Sequence, residues 1–189
     1  MPKHWIYVLG GQHLRGQADH WSVGKSMSGK SYEVIKAHLE EVARGKLRRV
    51  EADDILYVYA HTTYSDDYTT PLGTIGGTHL GPYALAMLLK DEGLTAEIAQ
   101  VKVFACGSAN ATPGGGAPYF RQLYDAMHNA AVGFTRVQVC GYEGEVAPAG
   151  PGGHKTGGMR HGETVAGISA ADWNARQMRA HDKRHCFPA

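Results

Sequence analysis

Long hydrophobic runs are missing from this chain. None approaches the ~20 apolar residues that a membrane-spanning helix needs. The N-terminus carries one lysine and the short apolar run Trp5–Leu9, which is too brief for the core of a secretory signal. These absences point to a cytosolic protein, or to one exported by a route that needs no such signal, and they set a membrane partner aside. An excess of one charge is missing too: 19 Lys and Arg against 18 Asp and Glu leave a net charge of +1. That argues against a general nucleic-acid binder. Cysteine is scarce, with Cys106, Cys140 and Cys186 alone. Their odd number and their spacing match no disulfide or zinc framework, so free thiols in a reducing compartment are expected. His154, His161, His181, His185 and Cys186 lack the H-E-x-x-H or C-x-x-C spacing of a metal site, and the histidines read as solvated. No metal and no cofactor is expected.

What the chain does have is an alternation of short apolar blocks with helical stretches. A length of 189 residues suits one domain, 1–189. Trp5–Leu9 reads as a strand stopped by Gly10 and Gly11, and residues 12–30 as a long polar loop. A helix is expected from Ser31 to about Arg44, then a strand ending at His61 and a polar loop over 62–81. Pro82 opens a helix that Gly93 closes. A strand leads to Cys106, a Gly-rich loop spans Pro113–Gly116, and a helix covers about Pro118–Ala131. The strand Thr135–Cys140 follows, with Cys140 as core. Residues 143–163 are rich in Gly, Pro and His and read as mobile, and a last helix runs from about Ala170 to His181. This order predicts an α/β fold, a three-layer sandwich whose mostly parallel sheet carries helices on both faces.

Two of the blocks end on reactive residues: Ile55-Leu-Tyr-Val-Tyr-Ala-His61 and Val101-Lys-Val-Phe-Ala-Cys106. Both are rich in β-branched and aromatic residues and too short for helices, so both read as buried strands. Chemistry in such sheets sits at the carboxyl ends of the strands. A His leaving one strand and a Cys leaving another meet there as a candidate thiolate–imidazole nucleophile. Tyr64 and Tyr68, in the loop after His61, read equally as lining residues and as surface tyrosines. A different chemistry is suggested by Gly24-Lys-Ser-Met-Ser-Gly29-Lys30-Ser31, which matches the phosphate-binding pattern G-x-x-x-x-G-K-[ST]. Gly29, Lys30 and Ser31 would then hold a nucleotide or phosphate. No buried strand runs into Gly24, which leaves a basic surface loop as the competing reading.

The order of a strand ending in His, a helix, and a strand ending in Ala-Cys resembles the caspase-like cysteine peptidases, the group of caspases, legumains, gingipains, clostripain and self-cleaving toxin domains. The match is carried by Val101-Lys-Val-Phe-Ala-Cys-Gly-Ser108 and by the block before His61, and it covers roughly residues 5–142. Thr62 stands where this family usually has Gly. The resemblance implies a cysteine endopeptidase or self-cleaving effector acting on a protein or peptide. In it Cys106 would be the nucleophile and His61 the proton shuttle, with an oxyanion hole from the backbone N–H groups of Thr62 and Gly107. The loop after the fourth strand, with Tyr142, Glu143 and Glu145, would help build the first specificity pocket, an acidic side chain there favouring a basic residue before the cut. An anionic small-molecule activator is also implied, as some toxin peptidases of this group bind inositol phosphates. A catalytically silent module that kept the fold is the remaining expectation.

Overall fold

The computed structural model describes residues 2–27, 29–36, 45–64, 71–75, 80–112, 115–144, 146–147, 156–157 and 178–188. Its centre is a six-stranded sheet. The strands are β1 (His4–Leu9), β2 (Tyr32–Lys36), β3 (Ile55–Ala60), β6 (Gln100–Phe104), β7 (Gln138–Tyr142) and β11 (Arg184–Phe187). They lie in the order β11-β7-β6-β3-β1-β2. All neighbours run parallel except β11, which is antiparallel to β7.

The strand sequences are apolar on both faces because both faces are covered, as parallel sheets require. Trp5, Tyr7, Leu9, Leu56, Val58, Val101, Val103 and Val139 point to one side. There they meet α2 (Pro82–Asp91) through Leu85 and Leu89 and α3 (Tyr119–Met127) through Leu123 and Met127. Ile6, Val8, Tyr57, Tyr59, Phe104 and Tyr142 point to the other. They pack on Leu14, Ala18 and Trp21 of α1 (Gln12–Met27). The predicted α/β architecture, with helices on both faces of a mostly parallel sheet, is therefore present. Both α2, with proline at its first turn, and α3, starting after Pro118, lie where the sequence places them.

Other segments differ from the sequence reading. Residues 12–27 form α1 and not a loop. Its buried residues Leu14, Ala18, Trp21 and Lys25 recur at helical spacing, but two glycines and many polar residues dilute that signal. Ser31–Arg44 was expected as a helix; Tyr32–Lys36 is instead β2, bonded in parallel to β1, and 37–44 lie outside the described residues. Pairing with a neighbouring strand overrides a local helical pattern. The polar stretch after His61 contains the antiparallel pair β4 (Thr62–Tyr64) and β5 (Pro71–Ile75). Within the segment expected to be mobile, β8 (Val146–Ala147) pairs with β9 (Thr156–Gly157), and β9 pairs with β10 (Met178–Arg179). The rest of 143–163 beyond 144, like Tyr68, His154, His161 and residues 170–177 of the expected last helix, lies outside the described residues. Residues 180–183 form a 3-10 turn, not the end of an α-helix.

The cysteines also depart from expectation. Cys140 and Cys186 face each other across β7 and β11 and form a disulfide with a Cα–Cα distance of 4.0 Å. Cys106 is not part of this bridge. The pairing is invisible in the sequence because the four residues Arg184–Phe187 are too few and too polar to declare a strand, and a spacing of 46 residues carries no register information.

Candidate functional site

The sheet reverses its strand order at β1, which has β2 on one side and β3 on the other. The crevice at the carboxyl ends of the strands beside such a switch is where α/β folds bind and transform ligands. Gly10 and Gly11 leave β1 there, and α1 begins there. His61 leaves β3 at the same edge. Next to it, β6 runs in register with β3 from Ile55↔Gln100 to Tyr59↔Phe104. Two residues further along that register lie His61 and Cys106. The topology thus brings the two expected catalytic residues to one edge, on adjacent strands.

Local bonds define this edge. The Thr62 hydroxyl donates to the Cys106 carbonyl oxygen. On the other flank, the Cys106 Sγ accepts from the Val146 N–H at 3.4 Å and lies 3.8 Å from the Val146 carbonyl oxygen. Gly107 has φ +62°, a left-handed conformation that glycine adopts without steric cost, and it lets the chain turn sharply after the cysteine. Ser108 is fully buried. Its Oγ donates to the Val103 carbonyl at 2.9 Å and accepts from the Tyr142 N–H at 2.9 Å. Ala109 N–H donates to Tyr142 O at 3.0 Å, and Gly144 N–H to Asn110 Oδ1 at 3.3 Å. The cysteine turn is therefore stitched to the end of β7 and to β8.

His61 is open to solvent; partial desolvation of its ring, and then the neighbouring His13, lower its pKa from the ordinary 6.5. At neutral pH its imidazole is uncharged and able to accept a proton. Tyr59 lies below the site and donates to Gln17 Oε1 at 2.5 Å. Burial and the nearby Cys106 raise its pKa, so it stays a neutral phenol.

The remaining site candidates fare differently. The Gly107 N–H donates to Gly144 O at 2.7 Å, so in this arrangement it faces the β7–β8 connection and not an incoming carbonyl. Tyr142 is 2% exposed, its ring packed edge-on against Phe104 at 5.2 Å. That burial removes it from the substrate-facing edge. Glu143 stays half-buried at the edge, paired with His185 Nε2 at 2.9 Å. Glu145 lies outside the described residues.

The Gly24–Ser31 pattern is not a phosphate loop. Gly24 to Met27 belong to the last turn of α1. Gly29, with φ +75°, ends that helix: its N–H donates to Ser26 O at 3.0 Å and the Lys30 N–H to Lys25 O at 3.0 Å. A phosphate loop needs free N–H groups at a helix N-terminus. Here they close a helix C-terminus, whose dipole repels anions. The structure thus corrects the assignment of Gly29, Lys30 and Ser31 to phosphate binding.

Sequence reasoning missed His13, Gln17, Ser108, Asn110 and Val146. Ser108 stood inside the quoted cysteine block; the others carry no signal until α1 and β8 are placed. No group of three or more His, Cys, Asp or Glu among the described residues could hold a metal ion. No protein-family model matches the chain, and no curated protein does.

Proposed function

We propose that the chain is a caspase-like cysteine peptidase, cutting a protein or peptide, or itself, with a Cys106–His61 dyad. One observation carries this reading: parallel, in-register β3 and β6 deliver His61 and Cys106 to the same carboxyl edge, beside the point where the strand order reverses.

The chemistry follows from the residues. Neutral His61 takes the Cys106 thiol proton, and the thiolate attacks the scissile carbonyl carbon. On this reading the Thr62 N–H would meet the oxyanion that develops; one such donor is worth ~10²–10³ in rate. Protonated His61 returns its proton to the leaving amine, and water then hydrolyses the thioester. For Gly107 to join the oxyanion hole, its N–H must leave Gly144 O. Glu143 must likewise leave His185 to receive a basic substrate side chain. The Cys140–Cys186 bridge supports export over residence in a reducing compartment.

The test is alkylation of Cys106 near neutral pH in the wild type and in His61→Ala, followed by cleavage of a peptide library with Cys106→Ala as control. The reading predicts fast alkylation that slows without His61, and cleavage that disappears in both variants. An inert Cys106 with no cleavage of any peptide would refute it.

A further inference from the structure

We propose that Thr62 is a positioning residue for the dyad: its hydroxyl, bonded to the Cys106 carbonyl, holds the cysteine turn in register with His61. The inference rests on the dyad reading above.

The paired part of the β3–β6 ladder ends at Tyr59↔Phe104. Beyond it the two chains part. After His61 the backbone leaves to pair with β5 through Thr62↔Ile75, and after Ala105 it enters the turn over 106–109. The reactive residues therefore sit just past the last backbone pairing between their strands. The Thr62 Oγ1 bond to the Cys106 carbonyl continues the connection with a side chain. On its other flank the cysteine turn is held by Gly144 O and by Val146, which belong to the β7–β8 connection and carry no information about where His61 is. Of these ties, Thr62 is the one that comes from the histidine's own strand end.

Threonine suits the task. Its branched Cβ restricts χ1, so the hydroxyl is aimed with little rotamer entropy left to lose. Glycine, the residue that the resembling family places here, supplies the same backbone N–H but no hydroxyl. Reacting groups displaced by ~1 Å lose on the order of 10²-fold in rate, so loosening this one tie should lower the reactivity that depends on His61. Among the described residues, the titratable groups coupled to the pair are Tyr59 on β3 and His13 on α1, and neither is touched by substitution at Thr62.

The experiment is the pH profile of Cys106 alkylation by iodoacetamide in the wild type, Thr62→Val, Thr62→Gly and Thr62→Ser, each with and without His61→Ala. Valine keeps the shape and removes the donor; serine keeps the donor. The expected result is that Thr62→Val and Thr62→Gly lose about tenfold of the His61-dependent rate near neutral pH. Their profiles should approach that of His61→Ala, while Thr62→Ser stays within about twofold of wild type. A merely structural threonine would lower the melting temperature and leave the profile's shape unchanged. Retention of the wild-type His61-dependent limb in Thr62→Val overturns the inference; if that variant does not fold, retention in Thr62→Gly does so. A wild type indifferent to His61→Ala overturns the dyad itself and this inference with it, and is read from different samples.

Discussion

Lys102 occupies the middle of β6, 5% exposed, with Tyr57 and Cys140 as its strand neighbours. Its Nζ lies 3.4 Å from the Tyr57 hydroxyl and 5.1 Å from the centre of that ring. No ion pair reaches it among the described residues. Burial, and then repulsion by Arg184, lower its pKa from 10.5 to about 8. A lysine whose folded pKa is depressed costs stability wherever the unfolded chain is still protonated. The cost is complete below pH 8 and is relieved as the pH rises from 8 toward 10.5. A drop of about 2.5 units at about 1.4 kcal/mol each is about 3 kcal/mol. Lys102→Met removes the charge and keeps the length. After the lost contact with Tyr57 is deducted, it should stabilise the fold at pH 7 by about 1–3 kcal/mol. Urea unfolding at a series of pH values from about 7 to 9.5, below the ordinary tyrosine pKa, is the assay. Wild-type stability should climb through this window and the variant should lose that slope. A variant less stable than wild type at pH 7, with the same slope, would refute the reasoning.

Four further outcomes are expected. Ser108→Ala strands the buried Tyr142 N–H and should cost about 1–3 kcal/mol, read by urea unfolding; a loss too small to resolve would mean that water replaces the hydroxyl. Opening the Cys140–Cys186 bridge, by reductant or as the double serine variant, releases a loop whose ends are 46 residues apart. It should lower stability by up to about 4 kcal/mol, and coincident unfolding curves with and without reductant would count against the bridge. Asp54 accepts from the Lys3 and Glu51 N–H groups and the Trp5 indole. Burial alone would raise its pKa, but these donors outweigh it and hold the pKa below 3.8. Wild type should therefore lose stability as the pH falls from about 4 through that lower value, and Asp54→Asn should flatten this acid limb. Gly141→Ala places a Cβ 2.8 Å from Phe120 Cβ and 3.0 Å from its ring; the overpacking should cost about 1–3 kcal/mol, and an unchanged melting temperature would show that α3 can shift.

Much of the site was legible before any coordinates. Ile55–Ala60 and Val101–Phe104 are dense in β-branched and aromatic residues, so each declares itself as a strand within a few residues. His61 and Cys106 follow them directly, and parallel strands in one sheet share a carboxyl edge. What could not be read were the partners. Val146 touches the Cys106 sulfur from 40 residues away, and the Thr62 bond spans 44. The phosphate-loop pattern shows the converse: its residues matched a motif, yet their meaning depended on which end of a helix they occupy.

By itself, then, the sequence determined the α/β class, the helices α2 and α3 with their proline starts, and the two strands that lead to His61 and Cys106. These rest on local chemistry: side-chain branching, ring size, and the stops made by glycine and proline. The tertiary structure alone decided that residues 12–27 are helical, that Tyr32–Lys36 is a strand, that β11 turns back on β7 to join Cys140 with Cys186, and that Tyr142 is buried. Those outcomes depend on which surfaces remain to be covered once the sheet has formed, and that is a property of the assembled layers, not of any one segment.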